Sequence, residues 1–122
     1  DLKRKIRRPA YDLNSLIESG CLAVEAGMKK VNGRSGPLEL ETVKNVNLDR
    51  DSEFLLIEIP VDFYRMLRET DVEDEDVRNI PLQWREKTRE AFKTFLQRGY
   101  RIVDFGKVKR DNRVRDFYIL KK

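Results

Sequence analysis

Arg85 and Arg89 are the residues whose type and spacing most directly indicate chemistry in this chain. They lie four residues apart in a segment with a helical pattern, beside Trp84, so one turn of helix would place both guanidinium groups on the same flank. Guanidinium groups bind carboxylates and phosphates through paired hydrogen bonds. The spacing therefore indicates a site for a small anionic ligand, with Trp84 as an adjoining apolar surface.

The same two arginines also have a structural interpretation, which the sequence leaves open. Arg85 would then pair with neighbours on the Glu86 side or with the acidic segment 71–76, and Arg89 would pair with Glu58 or Asp62. Ion pairs of this kind hold neighbouring elements together or simply lie in solvent. In that case the arginines would have no ligand.

Glu58 is the second candidate, because it interrupts the apolar run "FLLIEIP" at residues 54–60. An ionised carboxylate in an apolar strand costs free energy unless it is paired. On an edge strand Glu58 would face water. On a central strand an arginine must meet it, and we expect that arginine to be Arg89, which would bring Glu58 to the candidate anion site. Asp104 poses the same question on a later strand.

The composition excludes several classes of chemistry. The 122 residues include no histidine, which excludes a Cys/His zinc site, a histidine general base and a Ser-His-Asp triad. Cys21 is the only cysteine, so it forms no intrachain disulfide and has no histidine to activate it as a nucleophile. We therefore assign no catalytic residue and no metal site. No apolar run approaches the roughly 20 residues of a membrane helix, and we expect a cytoplasmic protein without a membrane segment.

Basic segments raise a second interpretation of function. The net charge is +4, and the excess lies largely in a basic arm at residues 1–9 and in Lys121 and Lys122. The segment "KVKRDNRVR" at 107–115, the tip of the predicted hairpin, is also strongly basic. These segments, with Phe117 and Tyr118 nearby, could form a non-enzymatic binding module for nucleic acid or an acidic partner. However, the alternating strand pattern should turn the aromatic rings inward, whereas base stacking requires them to face outward. The sequence favours a small anionic ligand over nucleic acid.

The hydrophobic pattern predicts one α+β domain over residues 1–122, with a mainly antiparallel sheet and one long amphipathic helix packed on it. We expect a buried strand at 54–60 and a short helix at 61–69 capped by Asp62. The long helix would begin near residues 79–81, with Asn79 as its cap, and an antiparallel hairpin at 100–120 would follow. Its apolar stripe consists of Trp84, Thr88, Ala91, Phe92 and Phe95.

The first half of the chain has weaker signals. Residues 10–20 favour a short helix, and 21–24 favour a short strand. The turn-rich segment 27–37 predicts a hairpin tip or an ordered loop. Residues 38–43 alternate in a way that is typical of an edge strand. The segment 71–76 is acidic, and we expect it to be a solvated connection.

Residues 54–120 contain a series of motifs in a fixed order: "EIPVDF" at 58–63, "WREKTREAF" at 84–92, "GY" at 99–100 and "YIL" at 118–120. This series resembles the C-terminal region of a family of predicted GNAT-superfamily acyltransferases. The resemblance implies a fold like the C-terminal half of a GNAT domain. Some relatives are thought to transfer an acyl group from acyl-CoA to the nitrogen of amino acids.

The chain departs from the GNAT pattern in two places that bear on activity. The phosphate-binding turn R/Q-x-x-G-x-G/A is absent, and Phe95 occupies the position of the tyrosine that often serves as general acid. The resemblance thus implies a C-terminal domain without its own acyl-CoA site, inactive in isolation, that contributes an acceptor pocket or a dimer surface. Acyl-CoA would be a cofactor only if the rest of a GNAT domain accompanies it, as an N-terminal catalytic domain in a longer protein. A complete acyltransferase with an unusual donor site is the remaining enzymatic alternative.

Overall fold

A five-stranded sheet with helices on both faces forms the centre of the structure. The computed structural model describes residues 11–122, so the basic arm expected at 1–9 lies outside the described residues. The strands are β1 (Leu22–Gly33), β2 (Gly36–Val46), β3 (Phe54–Ile59), β4 (Arg101–Arg110) and β5 (Arg113–Lys121). The helices are α1 (Leu13–Glu18), α2 (Phe63–Glu69), α3 (Glu75–Arg78) and α4 (Ile80–Gln97).

The strand order is β2-β1-β3-β5-β4, and only β1 and β3 are parallel neighbours. The predicted α+β class with a mainly antiparallel sheet is therefore confirmed. The prediction of β2 as an edge strand is also confirmed. Across the middle of the sheet, α2, α3 and α4 pack on one face and α1 packs on the other.

The apolar run of β3 has the central position that its composition predicts. Leu55 and Ile57 pack into the core beneath α4, whereas Leu56 packs into the smaller core beneath α1. All three side chains are fully buried. Both faces of β3 are covered, which explains why its sequence is nearly continuous in apolar residues instead of alternating.

The first hairpin differs from its prediction because its strands are longer. The turn-rich segment was expected to interrupt the chain over 27–37, but β1 continues to Gly33 and β2 begins at Gly36. Cross-strand pairs such as Val31 with Leu38 maintain the ladder to its end. Because Val31 and Leu40 reach the core beneath α4, tertiary packing extends the strands through residues that locally favour turns.

The second hairpin confirms the antiparallel pairing expected at 100–120. Asp111 and Asn112 connect β4 and β5 with φ angles of 57° and 61°. A two-residue loop with both central residues at positive φ matches the right-handed twist of the flanking strands. Aspartate and asparagine tolerate this conformation better than most residues.

The connection between α2 and α4 is more helical than predicted. Part of the segment expected as a solvated linker forms α3, whose N-cap Asp74 accepts a hydrogen bond from the Asp76 N–H at 3.0 Å. Asn79 was expected to cap α4, but its side chain makes no capping bond. Since Asn79 already has helical backbone angles at the end of α3, it lacks the extended conformation of a cap. Helices α3 and α4 thus form one bent helix next to Pro81, which lacks an N–H to continue the ladder.

The predicted helix α2 and the apolar stripe of α4 are confirmed. The Asp62 carboxylate accepts a hydrogen bond from the Arg65 N–H at 2.9 Å and caps α2. On α4, Trp84, Ala91 and Phe95 are buried against the sheet. Helix α4 ends before Gly99, whose φ of 95° is accessible to glycine at little cost.

Gly33 should be intolerant of a side chain, because it lies against the end of α2. A Cβ atom there would overlap Leu38 Cδ2 and would lie 3.1 Å from the Glu69 carbonyl oxygen. We expect Gly33→Ala to lower the free energy of unfolding by about 1–3 kcal/mol, the usual cost of overpacking. Urea denaturation measures this loss. The neighbouring exposed Asn32 provides the control, and an Asn32→Ala loss as large as that of Gly33→Ala would contradict the packing argument.

Candidate functional site

An open groove lies where α2 and α4 meet the sheet, and it encloses about 430 Å³. We call it the α2–α4 groove. Its floor comes from the end of β3 and from β5, and its walls come from the two helices. The lining residues are Ile59, Pro60, Phe63, Trp84, Arg85, Thr88, Arg89, Phe92 and Tyr118. Most of this lining is apolar, and the two arginines are its charged groups.

Arg85 and Arg89 are brought together in the groove, as their helical spacing predicts. Both side chains are exposed, and neither forms a salt bridge within residues 11–122. The guanidinium of Arg85 lies over the ring of Phe63, 5.3 Å from its centroid. Stacking on an aromatic face restricts a guanidinium without using its N–H donors. The structural alternative of pairing with the acidic segment, Glu58 or Asp62 is not what the described residues show.

Trp84 also lines the groove, but its role is different from that of a ligand donor. The residue is 1% exposed, and its indole N–H donates to the Glu41 carbonyl oxygen at 2.9 Å. That bond ties α4 to the edge strand β2. Trp84 is therefore an immobile and almost fully covered part of the groove wall, and its polar group is already used.

Aromatic rings form the other side of the groove. The rings of Phe92 and Tyr118 meet edge to face with centroids 5.3 Å apart. The ring centroids of Phe105 and Tyr118 are 5.0 Å apart. Such pairs pack well and restrict ring motion. Thr88 and Tyr118 add one hydroxyl group each to the lining. The arrangement suits a ligand with an apolar body and one anionic end.

The pairing expected between Glu58 and Arg89 is wrong. Glu58 is fully buried, and its carboxylate receives two hydrogen bonds from Arg115, at 2.9 Å and 2.7 Å. Arg113 approaches the same carboxylate at 3.4 Å. Glu58 follows Leu56 by two residues on β3, so it lies on the α1 face of the sheet. Arg89 lies on the opposite side, over the α2–α4 groove.

Glu58 fills a gap between two strands that separate. The parallel pairing of β1 with β3 ends near Val24 and Ile57. Beyond that point the Ala26 N–H donates to the Glu58 carboxylate at 2.9 Å, and the Ala26 carbonyl accepts from Arg113 at 3.2 Å. Side chains thus replace the missing main-chain ladder. No isolated sequence signal identified Arg113 and Arg115 as the partners, because they lie 55 and 57 residues from Glu58.

The basic hairpin tip is largely neutralised by carboxylates. Besides Arg113 and Arg115, Lys107 contacts Asp116 at 2.6 Å, and Arg110 contacts Glu18 at 3.5 Å. The Phe117 ring is fully buried, which confirms the inward alternation. This part of the chain therefore offers less free positive charge than its composition indicates.

Asp104 is buried as well, near a register irregularity of β4. Its carboxylate accepts a hydrogen bond from the Phe105 N–H at 2.8 Å. Asp104 does not line the α2–α4 groove. Part of its hydrogen-bonding capacity thus goes to the backbone of its own strand.

Glu41 is a site residue that sequence reasoning missed. Its carbonyl holds Trp84, and its carboxylate accepts from the Val61 N–H at 3.0 Å, so Glu41 links β2 to both sides of the groove. Burial raises the pKa of the Glu41 carboxyl, and the hydrogen bond from Val61 opposes this effect. Its place in an alternating edge strand indicated only a surface residue.

Comparison with known proteins finds no match: no family model, curated protein or solved structure shows significant similarity to the chain. The acyltransferase resemblance therefore stays a prediction. Among residues 11–122, no helix has the length and apolar character needed to cross a membrane. The same residues contain no group of three or more cysteine, aspartate or glutamate side chains that could hold a metal ion.

Removing Arg115 should strongly destabilise the protein. Arg115→Met leaves the carboxylate of Glu58 buried without its principal partner, which costs about 3–5 kcal/mol when a buried ion pair is broken. Urea denaturation measures this loss. In the double variant Glu58→Gln with Arg115→Met the carboxylate that Arg115 compensates is also gone, so the loss should be smaller than the sum of the two single losses. Additive losses would show that the two side chains do not interact.

Glu41→Gln should raise thermal stability, and this effect should depend on pH. The folded pKa of Glu41 lies above its ordinary value of 4.5, so the folded state holds its proton more tightly than the unfolded state. Stability conferred by the protonated form is present below pH 4.5 and is lost as the pH rises through the folded pKa. Glutamine stays neutral and can still accept from Val61.

Circular dichroism melting over a pH series tests this expectation. The Tm of Glu41→Gln should exceed that of the wild type near neutral pH, and the difference should shrink towards zero below pH 4.5. Arg113, Glu58 and Asp116 also act on the charge of Glu41, and all three remain in the variant. A Tm difference that stays constant with pH would contradict the assignment.

Proposed function

We propose that this chain is a ligand-binding domain whose α2–α4 groove takes a small carboxylate with an apolar body. The observation that supports this most is the combination of an apolar groove with two guanidinium groups that have no carboxylate partner in the described residues. Pockets for small molecules are typically apolar, with a few polar groups that orient the ligand. Arg85 and Arg89 would hold the carboxylate, while the half-buried rings of Phe63 and Phe92 contact the apolar body.

N-Acylamino acids are the ligand class that we propose, because each has an acyl chain and one carboxylate. This class is also consistent with the resemblance to the C-terminal region of GNAT-related acyltransferases. In a longer protein of that type, the groove would serve as the acceptor pocket beside a catalytic region, where the amino acid would be the acceptor and the N-acylamino acid the product. The domain itself would supply binding and orientation, and the acyl-CoA site would belong to the other region.

The position of the arginines fits this role better than a role in folding. Arg85 and Arg89 are exposed, so their charges lose little hydration when the chain folds. By contrast, Glu58 and Arg115 are buried and satisfied by each other. The four residues that sequence reasoning grouped in one site therefore separate: Arg85, Arg89 and Trp84 belong to the proposed binding site, and Glu58 belongs to the core.

Isothermal titration with N-octanoylglycine tests the proposal. We expect Arg85→Gln and Arg89→Gln each to weaken binding by about 10–100-fold, since a hydrogen bond to a charged group contributes about 1.5–3 kcal/mol. Lys93→Gln is the matched control, because Lys93 is an exposed cation on the same helix that does not line the groove. N-Acetylglycine should bind more weakly than N-octanoylglycine, because it buries less apolar surface.

Two results would overturn the proposed function. One is equal affinity for N-octanoylglycine and its uncharged methyl ester, which would remove the role of the guanidinium pair. The other is an equal loss of affinity in the Lys93→Gln control, which would show that the affinity for the anionic ligand depends only on the overall charge of the protein.

A further inference from the structure

A second cleft lies on the other side of Arg85, between the β1–β2 turn and the helices. It encloses about 460 Å³ and is distinct from the α2–α4 groove, although Arg85 borders both. Four arginines line it, and we call it the arginine cleft. They come from four different parts of the chain: Arg34 from the β1–β2 turn, Arg68 from α2, Arg78 from α3 and Arg85 from α4.

The carboxylates around the arginine cleft only partly offset this charge. Asp71 is the one acidic residue in its lining, and it contacts Arg34 at 3.5 Å. Glu75 contacts Arg78 at 3.8 Å. Both pairs are more than half exposed, and exposed pairs of this kind contribute little to stability. They can therefore open when a stronger anion arrives.

Arg68 differs from these two, since it forms no salt bridge within residues 11–122. The adjacent acidic residue, Glu69, is engaged elsewhere: its carboxylate accepts from the Ser35 N–H at 2.9 Å and from the Ser35 hydroxyl at 2.8 Å. The hydrogen bonds from Ser35 lower the pKa of Glu69. This interaction also fixes the β1–β2 turn, and with it Arg34, against the end of α2.

We infer that the arginine cleft binds a polyphosphate group, such as a free pyrophosphate or the diphosphate of a nucleotide. One carboxylate pairs with a single guanidinium group through two parallel hydrogen bonds. Four guanidinium groups around a cleft instead match an anion with many oxygen atoms. The gathering of arginines from four chain segments distinguishes this cleft from a charged face along one helix. The inference goes beyond the function proposed for the α2–α4 groove and does not depend on it, because Arg34, Arg68 and Arg78 do not line that groove.

Titration with pyrophosphate and with ADP, at low and at moderate salt, tests the inference. Arg68→Gln and Arg78→Gln should each weaken pyrophosphate binding by about tenfold, the order expected for the loss of one charged hydrogen-bonding group. Lys93→Gln and Lys109→Gln remove exposed charges outside the cleft and should leave the affinity unchanged. Orthophosphate, which reaches fewer arginines, should bind at least tenfold more weakly than pyrophosphate.

Comparing ADP with pyrophosphate distinguishes a nucleotide site from a site for the phosphates alone. Equal affinity for ADP and pyrophosphate assigns the site to the phosphates, and tighter ADP binding that is still lost in Arg68→Gln assigns it to a nucleotide.

Loss of affinity in the Lys93→Gln and Lys109→Gln controls, equal to that in the arginine variants, would overturn the inference. It would also be overturned by a single-stranded oligonucleotide that binds much more tightly than pyrophosphate and loses affinity in Lys109→Gln, because the cleft would then be part of a nucleic-acid surface. N-Octanoylglycine binding should be intact in Arg68→Gln, so failure here is distinguishable from failure of the groove proposal.

Discussion

The buried carboxylate of Glu58 is the constraint on which the sheet depends. Strands β1 and β3 pair in parallel for only a short distance and then separate, which would leave backbone groups of β1 unpaired in the interior. Glu58 accepts from the Ala26 N–H, and Arg113 donates to the Ala26 carbonyl, so side chains satisfy both groups. A buried carboxylate without a partner would be too costly, and the two hydrogen bonds from Arg115 on β5 offset that cost. The network therefore joins three strands, β1, β3 and β5, around one charge.

On the other face of the sheet, a smaller set of contacts attaches the walls of the α2–α4 groove to the edge strand β2. Glu41 holds Trp84 of α4 through its carbonyl and the start of the α2 segment through its carboxylate. Both contacts come from β2, at the edge of the sheet, so the edge strand supports the two helical walls. The groove is thus a consequence of how the helices are attached to the sheet, and its arginines need no structural partner of their own.

Which arginines have carboxylate partners in the fold is more informative about binding than the net charge of the chain. At the β4–β5 hairpin, Arg110, Arg113 and Arg115 contact carboxylates, so a segment that is strongly basic in sequence is nearly neutral in the fold. Around α2 and α4, Arg68, Arg85 and Arg89 form no salt bridge within residues 11–122. Exposed guanidinium groups without partners are the ones that can exchange water for an anionic ligand. The two sites that we propose, one apolar with a pair of arginines and one polar with four, each include arginines from this unpaired group.

The sequence by itself determined the α+β class, the buried strand β3, the Asp62 cap of α2, the β4–β5 hairpin and the placement of Arg85 and Arg89 on one flank beside Trp84. These features depend on local periodicity, on turn chemistry and on spacings of a few residues, which a single segment contains. Only the tertiary structure decided which arginine meets Glu58, that Asn79 is part of a bend instead of a cap, and that Glu41 supports the groove. These outcomes depend on residues far apart in the chain, and composition cannot say which of the chain's many arginines will lie within hydrogen-bonding distance of one buried carboxylate.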